Sequence, residues 1–123
     1  MANQQATGAR RLINAWAYSM SGFKAAYREE ASFRQETLVA IIFIPLGFYL
    51  GNGAIEQILL VGSILFVMLV ELLNSAIEAV VDRFGGDIHE LSGRAKDMGS
   101  AAVFIAVVIA ILVWGRILWA YFR

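Results

Sequence analysis

The sequence predicts an all-α membrane protein, an amphipathic amino-terminal surface helix followed by three transmembrane helices. Three observations carry that prediction. The 123 residues are 59% apolar and only 16% charged, against roughly 45–50% and 25% in soluble domains. The apolar residues are gathered into long runs separated by glycine-rich turns. The lysines and arginines crowd beside alternate runs, as cytoplasmic segments require.

A soluble chain of this length buries too little of its surface to hide so much Leu, Ile, Val and Phe, so lipid is the expected cover. Formal net charge is zero, and no basic block with interleaved aromatics is present, which excludes nucleic acid as a partner. With no cysteine, disulfides, thiolate nucleophiles and Cys-ligated metals drop out, while hard oxygen-ligated cations such as Mg²⁺ stay open. The first strongly apolar run lies behind a long charged segment and no small-x-small cleavage site follows it, so the runs are expected to stay in the mature protein.

The first element is a helix over residues 9–30. Leu12, Trp16, Met20, Phe23 and Tyr27 fall on one stripe at about 100° per residue, with Arg11, Asn14, Ser21, Lys24 and Arg28 largely elsewhere. Tryptophan and basic residues together fit a helix lying in the membrane interface. The alternative is a helix packed by that stripe on the transmembrane bundle. Spans follow at about 31–50, 58–81 and 101–121, with Gly51-Asn52-Gly53 and Gly85-Gly86 as turns. The first reaches the roughly 20 residues a span needs only if 31–36 continue the helix into the headgroups, and Pro45 is expected to kink it.

Arg10, Arg11, Lys24, Arg28 and Arg34 precede the first span and Arg83, Arg94 and Lys96 follow the second, whereas 51–56 has no cation. The amino terminus and residues 82–100, a loop with helix ends, are therefore expected in the cytoplasm, and the carboxy terminus outside. Arg116 and Arg123, beside Trp114, Trp119 and Tyr121, read as interface anchors. The whole chain, 1–123, forms a single domain.

The second span carries Glu71, Asn74, Ser75, Glu78 and Asp82, all within an arc of about 100° on one helix face. The stripe runs roughly 16 Å from inside the membrane to its cytoplasmic surface. Intramembrane carboxylates cost several kcal/mol unless paired or hydrated, and by default mark function. A hydrogen-bonded packing stripe between helices is the structural alternative. Beyond it, His89-Glu90-Leu91-Ser92-Gly93-Arg94-Ala95-Lys96-Asp97 is dense in charge. Carboxylates beside cations at a bilayer surface suit a metal-bound polyphosphate, Arg94 and Lys96 being placed to hold phosphate oxygens. A solvated segment obeying the charge rule is the plainer reading.

The G-x-x-x-x-G-K-[ST], G-x-G-x-x-G and protein-kinase signatures are absent from the sequence, so any ATP site has another architecture. A single histidine, His89, makes no zinc site of the usual kinds; it is either a surface residue or a nucleotide contact. Glu29, Glu30 and Glu36 face a surface that repels carboxylates, which either a cation or pairing with Arg28 or Arg34 relieves.

The run Glu71-Leu72-Leu73-Asn74-Ser75-Ala76-Ile77-Glu78-Ala79-Val80-Val81-Asp82-Arg83, followed by His89 to Ala101 and preceded by Glu30-Ala31-Ser32-Phe33-Arg34-Gln35-Glu36, resembles the prokaryotic diacylglycerol kinases. The likeness extends over essentially the whole chain, including the Trp-rich third span. It implies a homotrimer with active sites shared between subunits in a bacterial inner membrane, Mg²⁺ as cofactor, and ATP and diacylglycerol as substrates. It implies Glu71 as general base with Asn74 beside it, Glu30 and Glu78 as metal carboxylates, and nucleotide contacts at Arg11, Tyr18, Glu30, Glu78, Asp87, His89, Lys96 and Asp97. Lipid contacts are implied at Arg11, Lys24, Arg34, Glu36, Glu71, Ser100, Trp114 and Trp119. Met20 departs from the pattern where an aromatic is common, and Gly85-Gly86-Asp87-Ile88 is a variable loop.

The chemistry is reasonable on its own terms. A lipid hydroxyl attacking a γ-phosphoryl group needs in-line positioning, cation neutralisation and a proton acceptor. A kinase of the same family acting on undecaprenol would share every catalytic residue and differ only in the lipid wall. A carboxylate-based transporter explains the intramembrane charges but not the charged segment or the surface helix.

Overall fold

The computed structural model describes residues 7–85 and 89–122. These form four helices, α1 (Gly8–Glu29), α2 (Ala31–Leu50), α3 (Ala54–Asp82) and α4 (Glu90–Phe122), and no strand occurs among the described residues. Helices α2, α3 and α4 are each long and apolar enough to cross a membrane, which is the all-α plan predicted. Asp87 and Arg123 lie outside the described residues.

Along α1 the stripe Leu12, Trp16, Met20, Phe23 and Tyr27 is exposed, and Ala26 is the buried residue of the helix. The stripe therefore does not pack on the bundle, and its apolar area is left for lipid. A single extended residue, Glu30 (φ −119°, ψ 112°), separates α1 from α2. Its N–H donates to the Ala26 carbonyl at 2.9 Å, and the Arg34 N–H donates to the Glu30 carbonyl at 3.2 Å. Helix α2 accommodates Pro45 without ending, as membrane helices do when neighbours compensate the lost hydrogen bond.

At the next turn Gly53 has φ +90°, a conformation glycine adopts without strain. The turn is closed from both sides, by the Asn52 N–H donating to Glu56 Oε1 at 3.0 Å and by Gln57 Nε2 donating to the Phe48 carbonyl at 3.1 Å. These bonds start α3 at Ala54, four residues ahead of the apolar run read at 58.

Helix α3 is the centre of the bundle. Ala40, Leu60, Ile64 and Trp114 form the buried core, one or two residues from each span. Trp114 meets Phe43 edge-on at 5.2 Å between centroids. Its indole N–H donates to the Leu60 carbonyl at 3.2 Å and to Ser63 Oγ at 3.1 Å, so the one strong donor of that ring is satisfied away from water. Contacts Trp114 to Ser63 and Lys96 to Asp82 run in opposite order along α3 and α4, which makes the two antiparallel.

The charged segment behaves differently from a loop. From Glu90 onward it is helical and continues into the third span without a break. His89 Nδ1 accepts the Leu91 N–H at 3.0 Å, as a helix N-cap does, and Glu90 pairs with Arg94 one turn later at 3.6 Å. At 1.5 Å per residue α4 is about 50 Å long and α3 about 43 Å, both beyond the roughly 30 Å hydrocarbon layer. Asp82 meets Lys96 at one end of this helix pair.

Candidate active site

The end of α3 that meets α4 at Lys96, the joint at Glu30 and the first turns of α2 bring the acidic residues together. Glu71 is 8% exposed, a carboxylate buried within the long apolar helix α3. Glu36, Glu78 and Glu30 lie within electrostatic range of it. Among the described residues the ion pairs are Arg28 with Glu29, Arg94 with Glu90 and Lys96 with Asp82, and none of them serves these four carboxylates. A group of carboxylates with no cation paired to it among the described residues suits a hard metal ion.

Helix α3 fixes the geometry inside the cluster. Asn74 Nδ2 donates to Glu78 Oε1 at 2.9 Å, one turn away. The amide orientation follows, because its oxygen turned toward a carboxylate would meet a second acceptor. Asn74 Oδ1 is thereby left buried without a partner, facing α4 at Gly99, where a Cβ would collide with it. Gly99 is itself buried, and it lets α4 pass close enough to seal this side of the polar stripe.

On the other side, α1 and α3 flank a cleft of about 230 Å³ lined by small residues, Gly22, Ala25 and Ala26 against Ser75, Ala76 and Ala79, with Glu29 and Glu30 at its end. Arg11, Tyr18 and Ala25 follow one another at steps of seven and share one stripe of α1. That stripe leads from the carboxylates outward along the cleft, roughly opposite the apolar one. Lys24 is exposed and lies off it.

The remaining expected contacts are dispersed. Lys96 Nζ donates to Asp82 Oδ1 at 2.8 Å, bridging α4 and α3. Asp97, its neighbour in sequence, lines a separate hollow with Glu90, Gly93 and Arg94, and Ser100 is exposed. Glu36 heads an apolar groove of about 270 Å³ with Val39, Phe43, Val67 and Trp114. Trp119 is 67% exposed and belongs to another hollow, with Gly115 and Phe122. Arg34 turns its guanidinium to the end of α1, donating from Nη1 to the carbonyls of Tyr27 at 2.9 Å and Arg28 at 3.0 Å.

A family model described as prokaryotic diacylglycerol kinase matches residues 17–118. The chain belongs to that family. It is 52% identical over 122 residues to the diacylglycerol kinase of Escherichia coli strain K12, covering 99% of each chain. It is 57% identical to that of Haemophilus influenzae, covering 91% of this chain and 95% of the relative, and 48% identical to that of Pseudomonas aeruginosa, covering 91% of each.

A prokaryotic diacylglycerol kinase is a bacterial membrane protein that works on metal-bound nucleotide. The carboxylate set fits such a metal. Among the described residues no three acidic or histidine side chains converge as a closed cage, and Mg²⁺ asks for only one or two protein carboxylates, its other positions going to phosphate oxygens and water. Sequence reading of this kinase did not single out Gly99 or the Asp82 to Lys96 pair. The available signal was a small residue one helical turn from Lys96, inside a charged run, where a second helix has to pass.

Proposed function

We propose that this chain transfers the γ-phosphoryl group of ATP to diacylglycerol, giving phosphatidic acid, at the cytoplasmic face of a bacterial inner membrane. The single observation that carries the reading is Glu71. It is a buried carboxylate without a cationic partner among the described residues, at the inner end of an acidic cluster whose Glu30 borders a surface cleft. In this reading the diacylglycerol hydroxyl gives its proton to Glu71 while its oxygen attacks the γ-phosphorus, and the bond to the departing ADP breaks in line. Glu30 and Glu78 hold Mg²⁺, which neutralises phosphate charge. Asn74 keeps the Glu78 carboxylate turned toward the cluster.

The nucleotide lies along the stripe of Arg11 and Tyr18 toward the α4 end, with His89, Lys96 and Asp97 contributing from that side and Asp87 as a further contact. Glu36, at the head of an apolar groove that includes Trp114, suits a glycerol backbone whose acyl chains stay in the membrane, with Arg11, Lys24, Ser100 and Trp119 as further lipid contacts; the Arg34 guanidinium is committed to the end of α1. The amino terminus is cytoplasmic and the carboxy terminus periplasmic, because the cations flank α1 and the α3–α4 connection. The active unit is a homotrimer with sites shared between subunits, in keeping with the many large apolar side chains each chain leaves uncovered.

Purified protein in lipid, given radiolabelled ATP, Mg²⁺ and either diacylglycerol or undecaprenol, tests the reading through the labelled product. Labelled phosphatidic acid is expected, and preferential labelling of undecaprenol or of neither lipid refutes it. Glu30→Gln and Glu78→Gln are each expected to raise the Mg²⁺ requirement or remove activity, with losses that do not add if they hold one ion.

A further inference from the structure

We propose that Arg34 is a positioning residue, the clasp that sets the angle between the surface helix and the first span and so holds Glu30 toward Glu78 and Glu71. The inference rests on the metal role just given to Glu30 and extends it to how that carboxylate is held.

The joint has one residue. Helix α1 ends at Glu29, α2 begins at Ala31, and Glu30 between them is extended. An ending helix leaves its last four carbonyls without helical partners. The Ala26 carbonyl is served by the Glu30 N–H, and those of Tyr27 and Arg28 are both served by Arg34 Nη1, at 2.9 and 3.0 Å. A guanidinium also places full positive charge where the helix dipole is negative. The side chain comes from the first turn of the following helix, so the two bonds tie the end of α1 to the start of α2.

Little else fixes the angle between α1 and α2. Ala26 is the buried residue of α1, Phe33 lies buried under the joint at 3% exposure, and the apolar stripe of α1 faces away from the bundle. Against α3 the helix presents small side chains and a cleft rather than an interlocked core. Glu30 sits at the pivot, where a rotation of α1 is felt directly by its side chain. Loss of the clasp is therefore expected to let Glu30 wander while leaving the α2–α3–α4 core in place.

The test uses the full-length protein in lipid, in wild-type, Arg34→Gln and Arg34→Lys forms. Spin labels on Ser21→Cys in α1 and Val80→Cys in α3, with each single-label protein as background, give the α1–α3 distance distribution by pulsed electron paramagnetic resonance. Arg34→Gln is expected to broaden it, with Arg34→Lys in between. An unchanged distribution overturns the proposal, and this arm makes no assumption about metal or catalysis. In the activity arm Arg34→Gln should raise the Mg²⁺ concentration for half-activation about tenfold, the scale of lost support behind a metal ligand, with the KM for diacylglycerol unchanged. A raised KM for diacylglycerol at unchanged Mg²⁺ dependence would overturn it in favour of direct lipid contact. Glu30→Gln with unaltered Mg²⁺ dependence would sink the metal reading itself, whatever Arg34 does.

Discussion

At the scale of single residues, the proposed chemistry rests on Glu71 with Asn74 beside it, and Gly99 leaves room for the Asn74 side chain. Glu71→Gln keeps shape and removes the proton acceptor, so phosphoryl transfer is expected to fall by at least about 100-fold, the usual size of a general-base contribution, while nucleotide affinity stays near wild type. Turnover within a few-fold of wild type would end the assignment of the base. Gly99→Ala puts a methyl group where Asn74 Oδ1 lies. Such overpacking costs about 1–3 kcal/mol, and forcing the amide aside also frees Glu78 from its hydrogen bond. In an Asn74→Ala background the same substitution is expected to cost less than half as much, measured by unfolding in mixed detergent. Equal costs in the two backgrounds would show that Gly99 makes room for something else.

At the scale of elements, the spans are held by a few polar pins within a packing that is otherwise apolar. Within lipid the hydrophobic effect does not drive helices together, so close packing and interhelical hydrogen bonds carry the association. The Trp114 indole, bonded to Leu60 and Ser63 across more than 50 positions of sequence, is the principal pin between α3 and α4 in the apolar half. Trp114→Phe keeps most of the ring and drops the donor, and is expected to cost about 0.6 kcal/mol and no more than about 1.7, the average and the maximum for such bonds in a bilayer. If it costs nothing, the ring alone holds the crossing. The helical reading of the charged segment belongs here as well. His89, Glu90 and Arg94 are capping and i,i+4 residues whose sequence pattern was available but outweighed by charge density and the two glycines.

At the scale of the whole molecule, everything depends on which side of the membrane holds the acidic cluster. The chain has no cysteine, so single cysteines report side cleanly. Asn52→Cys, in the exposed turn between α2 and α3, and Leu91→Cys, 60% exposed at the start of α4, can be challenged with a membrane-impermeant thiol reagent. In cells with a permeabilised outer membrane position 52 should react and position 91 should not, and inverted inner-membrane vesicles should reverse the pattern. Labelling of position 91 from outside would separate the site from cytoplasmic ATP and sink the kinase reading.

The sequence by itself determined the helix count, the three spans, the family and the face of α3 that carries the carboxylates. Helix count, spans and carboxylate face follow from composition and from the 3.6-residue period, both of which act over neighbours in the chain, and the family from the likeness of the runs Glu71–Arg83 and His89–Ala101. Tertiary structure decided the rest. That Gly99 lies on Asn74, that Lys96 is spent on Asp82, that Trp114 reaches Ser63 and that Arg34 turns back to close α1 are meetings between helices. No periodicity encodes them, because a helix face names the residues it presents and leaves open which partner comes to meet them.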